Sequence, residues 1–177
     1  MKKTSLILLS VFAFSSCNKE VVTSIEVEAP AVASTELIAI FKPSPEGEIG
    51  QIHVIRKTAK PGDKLLIKGR VMGSVSPFVE GRAAFVLGDE ELLTACSDKG
   101  DDDCKTPWDT CCDKKEDFRD GTATIQVVDA DGRVLKEGVE GVEGLEKLSR
   151  VVIEGVVAEG SGPENLVINA TGIQVVD

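Results

Sequence analysis

The sequence predicts a mainly β protein, a small five-stranded Greek-key barrel of the OB type. One short helix is expected between strands three and four, and a cysteine-rich insert between strands two and three. Three observations carry this prediction. Apolar runs rich in Val, Ile and Leu recur between Gly, Pro and Asp turn signals from about residue 64 onward. Their order, strand, strand, strand, helix, strand, strand, is the element order of that barrel. Gly69, Gly73, Gly81, Gly138 and Gly155 fall where a small, strongly curled barrel needs bends.

Taken in order, "QIHVIRKTA" reads as a short helix closed by "KPGD", because the residue before a proline leaves the α region. "DKLLIKGRVMG" follows a Pro-Gly turn and gives the first strand, Leu65 to Met72. "GRAAFVLGD" is the second, ending at Gly88-Asp89. "GTATIQVVDADGRVL" is the third, with Asp-Ala-Asp-Gly as its turn. "GVEGLEKLS" spaces Val142, Leu145 and Leu148 at i, i+3 and i+6, which predicts the helix. "RVVIEGVVAEG" and "ENLVINATGIQVV" are the fourth and fifth strands, the last with a bulge or bend expected at Gly172.

The insert, residues 89–120, is long for a hairpin connection and needs stabilisation of its own. Its core "ACSDKGDDDCKTPWDTCCD" holds Cys96, Cys104, Cys111, Cys112 and the single tryptophan, Trp108. Two disulfides are the first reading. A vicinal Cys111–Cys112 bridge strains the peptide between them. That leaves two pairings, in which Cys111 and Cys112 each take one of Cys96 and Cys104. The loops closed are about 8 to 17 residues, worth about 2–4 kcal/mol each. The second reading is a thiolate site for a soft ion, Zn²⁺ or Cu⁺. The spacing C-x7-C-x6-C-C lacks the C-x2-C knuckle of structural zinc sites. A hard-ion variant uses Asp98, Asp101, Asp102 and Asp103, although the D-x-D-x-D-G loop of calcium sites is absent. Redox chemistry comes last, since aspartates beside a thiol raise its pKa.

The N-terminal segment "MKKTSLILLSVFAFSSCNKE" joins Lys2 and Lys3, a short apolar run from Leu6 to Phe14, and small residues before Cys17. It resembles a bacterial lipoprotein signal, residues 1–16. The resemblance implies cleavage before Cys17, acylation of Cys17 and a tether to the membrane. Asn18 after the cysteine implies the outer membrane rather than the inner one. Residues 17–48 read as a flexible tether rich in Ala, Ser, Thr and Glu, and residues 49–177 as the barrel domain.

Over residues 59–176, "PGDKLLIKGRVMGSVSPFVEGRAAFVLGD", "CKTPWDTCC" and "VVDADGRVL" resemble a family of uncharacterised bacterial secreted OB-fold lipoproteins. The resemblance supports the fold and an envelope location and implies no activity.

Charge narrows the function classes. The chain carries 20 basic and 30 acidic residues; without Lys2 and Lys3 the net charge is −12. Such a chain repels phosphate backbones, so nucleic acid, suggested by fold analogy alone, is an unfavourable partner. No constellation of residues supports catalysis. His53, the only histidine, reads as a surface or packing residue, since acid–base work needs a positioned partner. Phe78, Arg82 and Trp108 are expected to share one ligand-binding surface. The leading expectation is therefore a non-enzymatic binding or scaffolding lipoprotein of the cell envelope. It presents a stapled acidic loop to an envelope protein or a cell-wall component. The alternative, from another class, is a metal-binding lipoprotein that uses the four cysteines. No organic cofactor is expected.

Overall fold

Alternation of inward and outward side chains builds the wall of the barrel. In β3 (Thr122–Gln126) Ala123 and Ile125 are buried, while the residues between them are half-exposed. β1 (Lys64–Val71), β2 (Ala84–Gly88), β4 (Arg150–Val157) and β5 (Val167–Val176) contribute Ile67, Phe85, Leu87, Ile153, Ile168 and Ile173 to the same core. The computed structural model describes residues 33–42, 46–100 and 104–176. Cys17 and Asp101 to Asp103 lie outside the described residues, as do the expected signal and the first part of the tether.

The strands close in the order β1-β2-β3-β5-β4. All pairs are antiparallel except β3 with β5. This is the closed five-stranded barrel that the element order predicts. β1 serves two neighbours by curling. Lys64 to Arg70 pair with β4, and Arg70 and Val71 also pair with β2. The curl requires close backbone approach, and two glycines permit it. A Cβ on Gly69 would lie 2.6 Å from the Gly88 carbonyl oxygen, and one on Gly155 2.7 Å from that of Asn169. Register slips between Glu154 and Gly155, so that Thr171 of β5 is the extra residue of a bulge beside Gly172.

The short helix expected between β3 and β4 is present as a single 3₁₀ turn, Val142–Gly144. Gly141 and Gly144 take left-handed φ values of 85° and 81°, and Glu143 and Leu148 are left-handed as well, so an α-helix cannot propagate. Leu145 is still fully buried in the barrel core, whereas Leu148 packs on a satellite cluster of Met72, Leu93 and Ala95.

Residues 33–42, which composition assigns to a tether, belong to the packed domain. α1 (Thr35–Ile38) starts at Ser34, whose hydroxyl accepts from the Leu37 N–H, and Leu37 is fully buried in the core. Phe41 bridges Ile173, and the Lys42 and Ile173 N–H groups bond the Ile173 and Ile40 carbonyls. The expected helix before the first strand is present as α2 (Ile52–Ile55), one turn with Ile52 fully buried.

Candidate functional site

The insert is a folded cap rather than an open loop. It leaves β2 at Asp89, forms a 3₁₀ turn at Cys96–Lys99, and re-enters the barrel through α3 (Lys115–Gly121), which runs straight into β3. Between these turns the chain doubles back on itself. The N–H groups of Cys96 and Ser97 donate to the carbonyls of Asp109 and Pro107, each at 2.8 Å. The Thr94 N–H donates to Asp113 Oδ2, and Lys99 pairs with Asp113 Oδ1 at 2.9 Å. Three contacts dock the cap on β1 and the β1–β2 connection. Arg70 bonds Asp98 Oδ2 at 2.5 Å, the Gly73 N–H bonds the Trp108 carbonyl, and Trp108 Nε1 bonds the Val75 carbonyl at 2.9 Å.

This doubling-back gathers the cysteines. The sulfurs of Cys96, Cys104 and Cys111 all lie within 4.8 Å of one another. Cys96 Sγ is 3.7 Å from Cys111 Sγ, and Cys111 Sγ is 3.9 Å from Cys112 Sγ. Cys96 is buried, Cys104 half-buried, and Cys111 and Cys112 are exposed. Cys104 also meets the hydroxyl and carbonyl of Thr106. Three of the four sequence-predicted cysteines therefore converge on one spot, and Cys112 flanks it beside Cys111.

Burial, reinforced by the neighbouring Cys111 and Cys104 sulfurs, pushes the Cys96 thiol well above its ordinary pKa. The bond to Cys96 draws Cys111 down, but Cys112, burial and the Asp109 charge together leave it raised. Raised thiols are poor nucleophiles, which argues against a catalytic redox centre. Asp98 is committed elsewhere: Oδ2 takes Arg70 and Oδ1 takes the Ser97 hydroxyl. Its three companions in the hard-ion reading lie outside the described residues.

Beside the cysteines, a hollow of about 460 Å³ is lined by Asp109, Thr110, Cys111, Asp113 and Phe118 among others. Asp109 and Thr110 are buried polar residues, and the Thr110 hydroxyl has no hydrogen-bond partner among the described residues.

Of the expected ligand surface, the structure brings two residues together. The Lys147 ammonium lies 5.8 Å from the Phe78 ring centre and 5.0 Å from that of Trp108. Arg82 is exposed in the turn before β2, where its backbone bonds Val79 and Ala84.

The sequence reading missed one pairing. His53 does have a positioned partner: its Nδ1 lies 2.7 Å from Asp89 Oδ2, and its backbone N–H donates to the same oxygen at 3.0 Å. Asp89 is fully buried. The two residues are 36 positions apart and meet because α2 packs over the start of the insert, which no local pattern reveals.

The fold and site together define a class: a closed five-stranded OB-like barrel capped by a cysteine-clustered insert. No family model matches the sequence, and no curated protein or solved structure matches it either.

Proposed function

We propose that this protein is a non-enzymatic binding lipoprotein of the cell envelope, tethered through acylated Cys17. Its barrel presents a cap stapled by two disulfides. The observation that carries the reading is the convergence of Cys104 and Cys111 on the buried Cys96, with Cys112 Sγ 3.9 Å from Cys111 Sγ. Spread along 17 residues of chain, they meet only because the cap doubles back. A Cys96–Cys111 bridge needs its sulfurs to close from 3.7 Å, within the reach of a side-chain rotation. The partner is an envelope protein or a cell-wall component. Lys147 and the half-exposed Trp108 at the seam between cap and barrel supply the cationic and apolar contacts for it, and Phe78, buried in the core, backs them.

One observation favours a second reading, a thiolate metal site. A tetrahedral ion with metal–sulfur bonds of about 2.3 Å holds its sulfurs about 3.8 Å apart. The 3.7 and 3.9 Å separations bracket that edge. Cys96, Cys104 and Cys111, with Cys112 as a fourth ligand, would then hold Zn²⁺ or Cu⁺. The two readings differ in the oxidation state of the four sulfurs.

Tethering is tested by replacing Cys17. In cells, the native chain is expected in the membrane fraction with a mass increment of acyl chains. Cys17→Ala is expected without that increment and with residues 1–16 retained. A native chain that begins elsewhere than at Cys17, or that carries no acyl mass there, sinks the lipoprotein reading.

A further inference from the structure

A cleft of about 590 Å³ opens among α2 with its following turn, the end of α3 and the β4–β5 connection. Its charge runs against that of the chain. Arg56, Lys57, Lys60 and Arg119 line it against only Asp120 and Glu164, in a molecule with a net charge of −10. Arg119 is partly neutralised by its neighbour Asp120 at 2.8 Å, a solvent-exposed pair of small worth.

Arg56 is the unusual member. Its guanidinium is held by two neutral acceptors, the Pro163 carbonyl at 3.2 Å and the Thr122 carbonyl. Its Nε is buried with no partner, and no carboxylate lies at ion-pair distance among the described residues. Burial lowers its pKa, a desolvation cost that the charges of Asp120 and Glu164 offset only in part. A half-buried cation fixed by carbonyls, with no carboxylate bonded to it among the described residues, is a preorganised anion site. His53, on the same wall, is oriented through Nδ1 by the buried Asp89, which leaves Nε2 as the ring's remaining polar atom.

The excess of two positive charges suits a dianion better than a single carboxylate. Guanidinium groups match phosphate oxygens in geometry. Ala59, Pro61 and Leu166 add apolar wall for the carbon part of an ester. We infer that this cleft binds a phosphate monoester, either a free small molecule or the headgroup of a lipid. The inference is independent of the cysteine cluster and of the tether.

The test is calorimetric titration of the purified chain, at low ionic strength, with glycerol 3-phosphate, with soluble dihexanoyl phosphatidate and with succinate. Saturable binding of at least one phosphate is expected, weakened about tenfold by Arg56→Gln or Arg119→Gln. Arg119 is exposed and its replacement leaves the fold intact, so it decides the matter if Arg56→Gln unfolds. Equal affinity for the two phosphates assigns a free ester, and a preference of about tenfold or more for phosphatidate assigns a lipid headgroup. No saturable binding of either phosphate at millimolar concentration overturns the inference. So does succinate bound as tightly as phosphate, or an unchanged affinity in folded Arg119→Gln.

Discussion

Asp98 ties the cap to the barrel through one side chain, and its protonation follows that role. Burial raises its pKa, but the bonds from Arg70 and Ser97 outweigh this and leave it below the ordinary aspartate range. A carboxyl depressed in the folded state contributes stability above its unfolded pKa, near 4, and loses it as pH falls through the folded value. Docking of the cap should therefore weaken on acidification below about pH 4. Trp108, the single tryptophan, lies in the cap and reports this directly. Its emission is expected to shift to the red between about pH 4 and pH 2, and Asp98→Asn should show the shifted emission already at neutral pH. Emission that is insensitive to both changes contradicts the assignment.

Asp89 is the second residue on which local structure depends. Fully buried, it accepts from the His53 ring, the His53 N–H and the Glu91 N–H. Asp89→Ala leaves donors without an acceptor and should cost about 2–4 kcal/mol in urea unfolding. A cost below about 0.5 kcal/mol would show that water replaces it.

At the scale of elements, the barrel was legible and its plugs were not. Strands β1, β2, β4 and β5 announce themselves because Leu, Ile and Val runs are bounded by glycine, proline or aspartate turns. The helix that the i, i+3, i+6 spacing of Val142, Leu145 and Leu148 marks stays a single turn for a physical reason. Left-handed Gly141 and Gly144 bend the chain, so Leu145 faces the core and Leu148 a separate cluster. α3 escaped notice because "KEDFRDG" is short and charged and has no side-chain cap at Lys114. Residues 33–42 read as tether because their partners, Glu137 and Ile173, lie far along the chain. The cysteine cluster was legible as a set of residues, but the His53–Asp89 pair and the cationic cleft arise only from tertiary packing.

The curled strands make a further prediction. A methyl group at Gly155 meets Ile168 Cγ2 at 2.6 Å as well as the Asn169 carbonyl, so Gly155→Ala should destabilise by about 1–3 kcal/mol. Gly132→Ala, at an open turn, meets no neighbouring atoms and pays only for its positive φ of 78°. It should cost less, about 1 kcal/mol. Equal costs in denaturant titrations would mean that the barrel relaxes freely around β4 and β5.

For the whole molecule, the closed barrel carries a folded cap in which Cys96, Cys104 and Cys111 cluster beside Cys112. If two disulfides hold the cap, a reductant should lower the melting temperature, by about 2–4 °C for each kcal/mol lost. If an ion does, a chelator should do so instead. The most direct test is the intact mass of the protein purified without reductant, taken natively and then denatured with an alkylating reagent. The account predicts a denatured mass four hydrogens, about 4 Da, below the reduced value, with no alkylation of Cys96, Cys104, Cys111 or Cys112. Four alkylated thiols, together with a native mass increment equal to one metal ion, would contradict it and establish the thiolate site in its place.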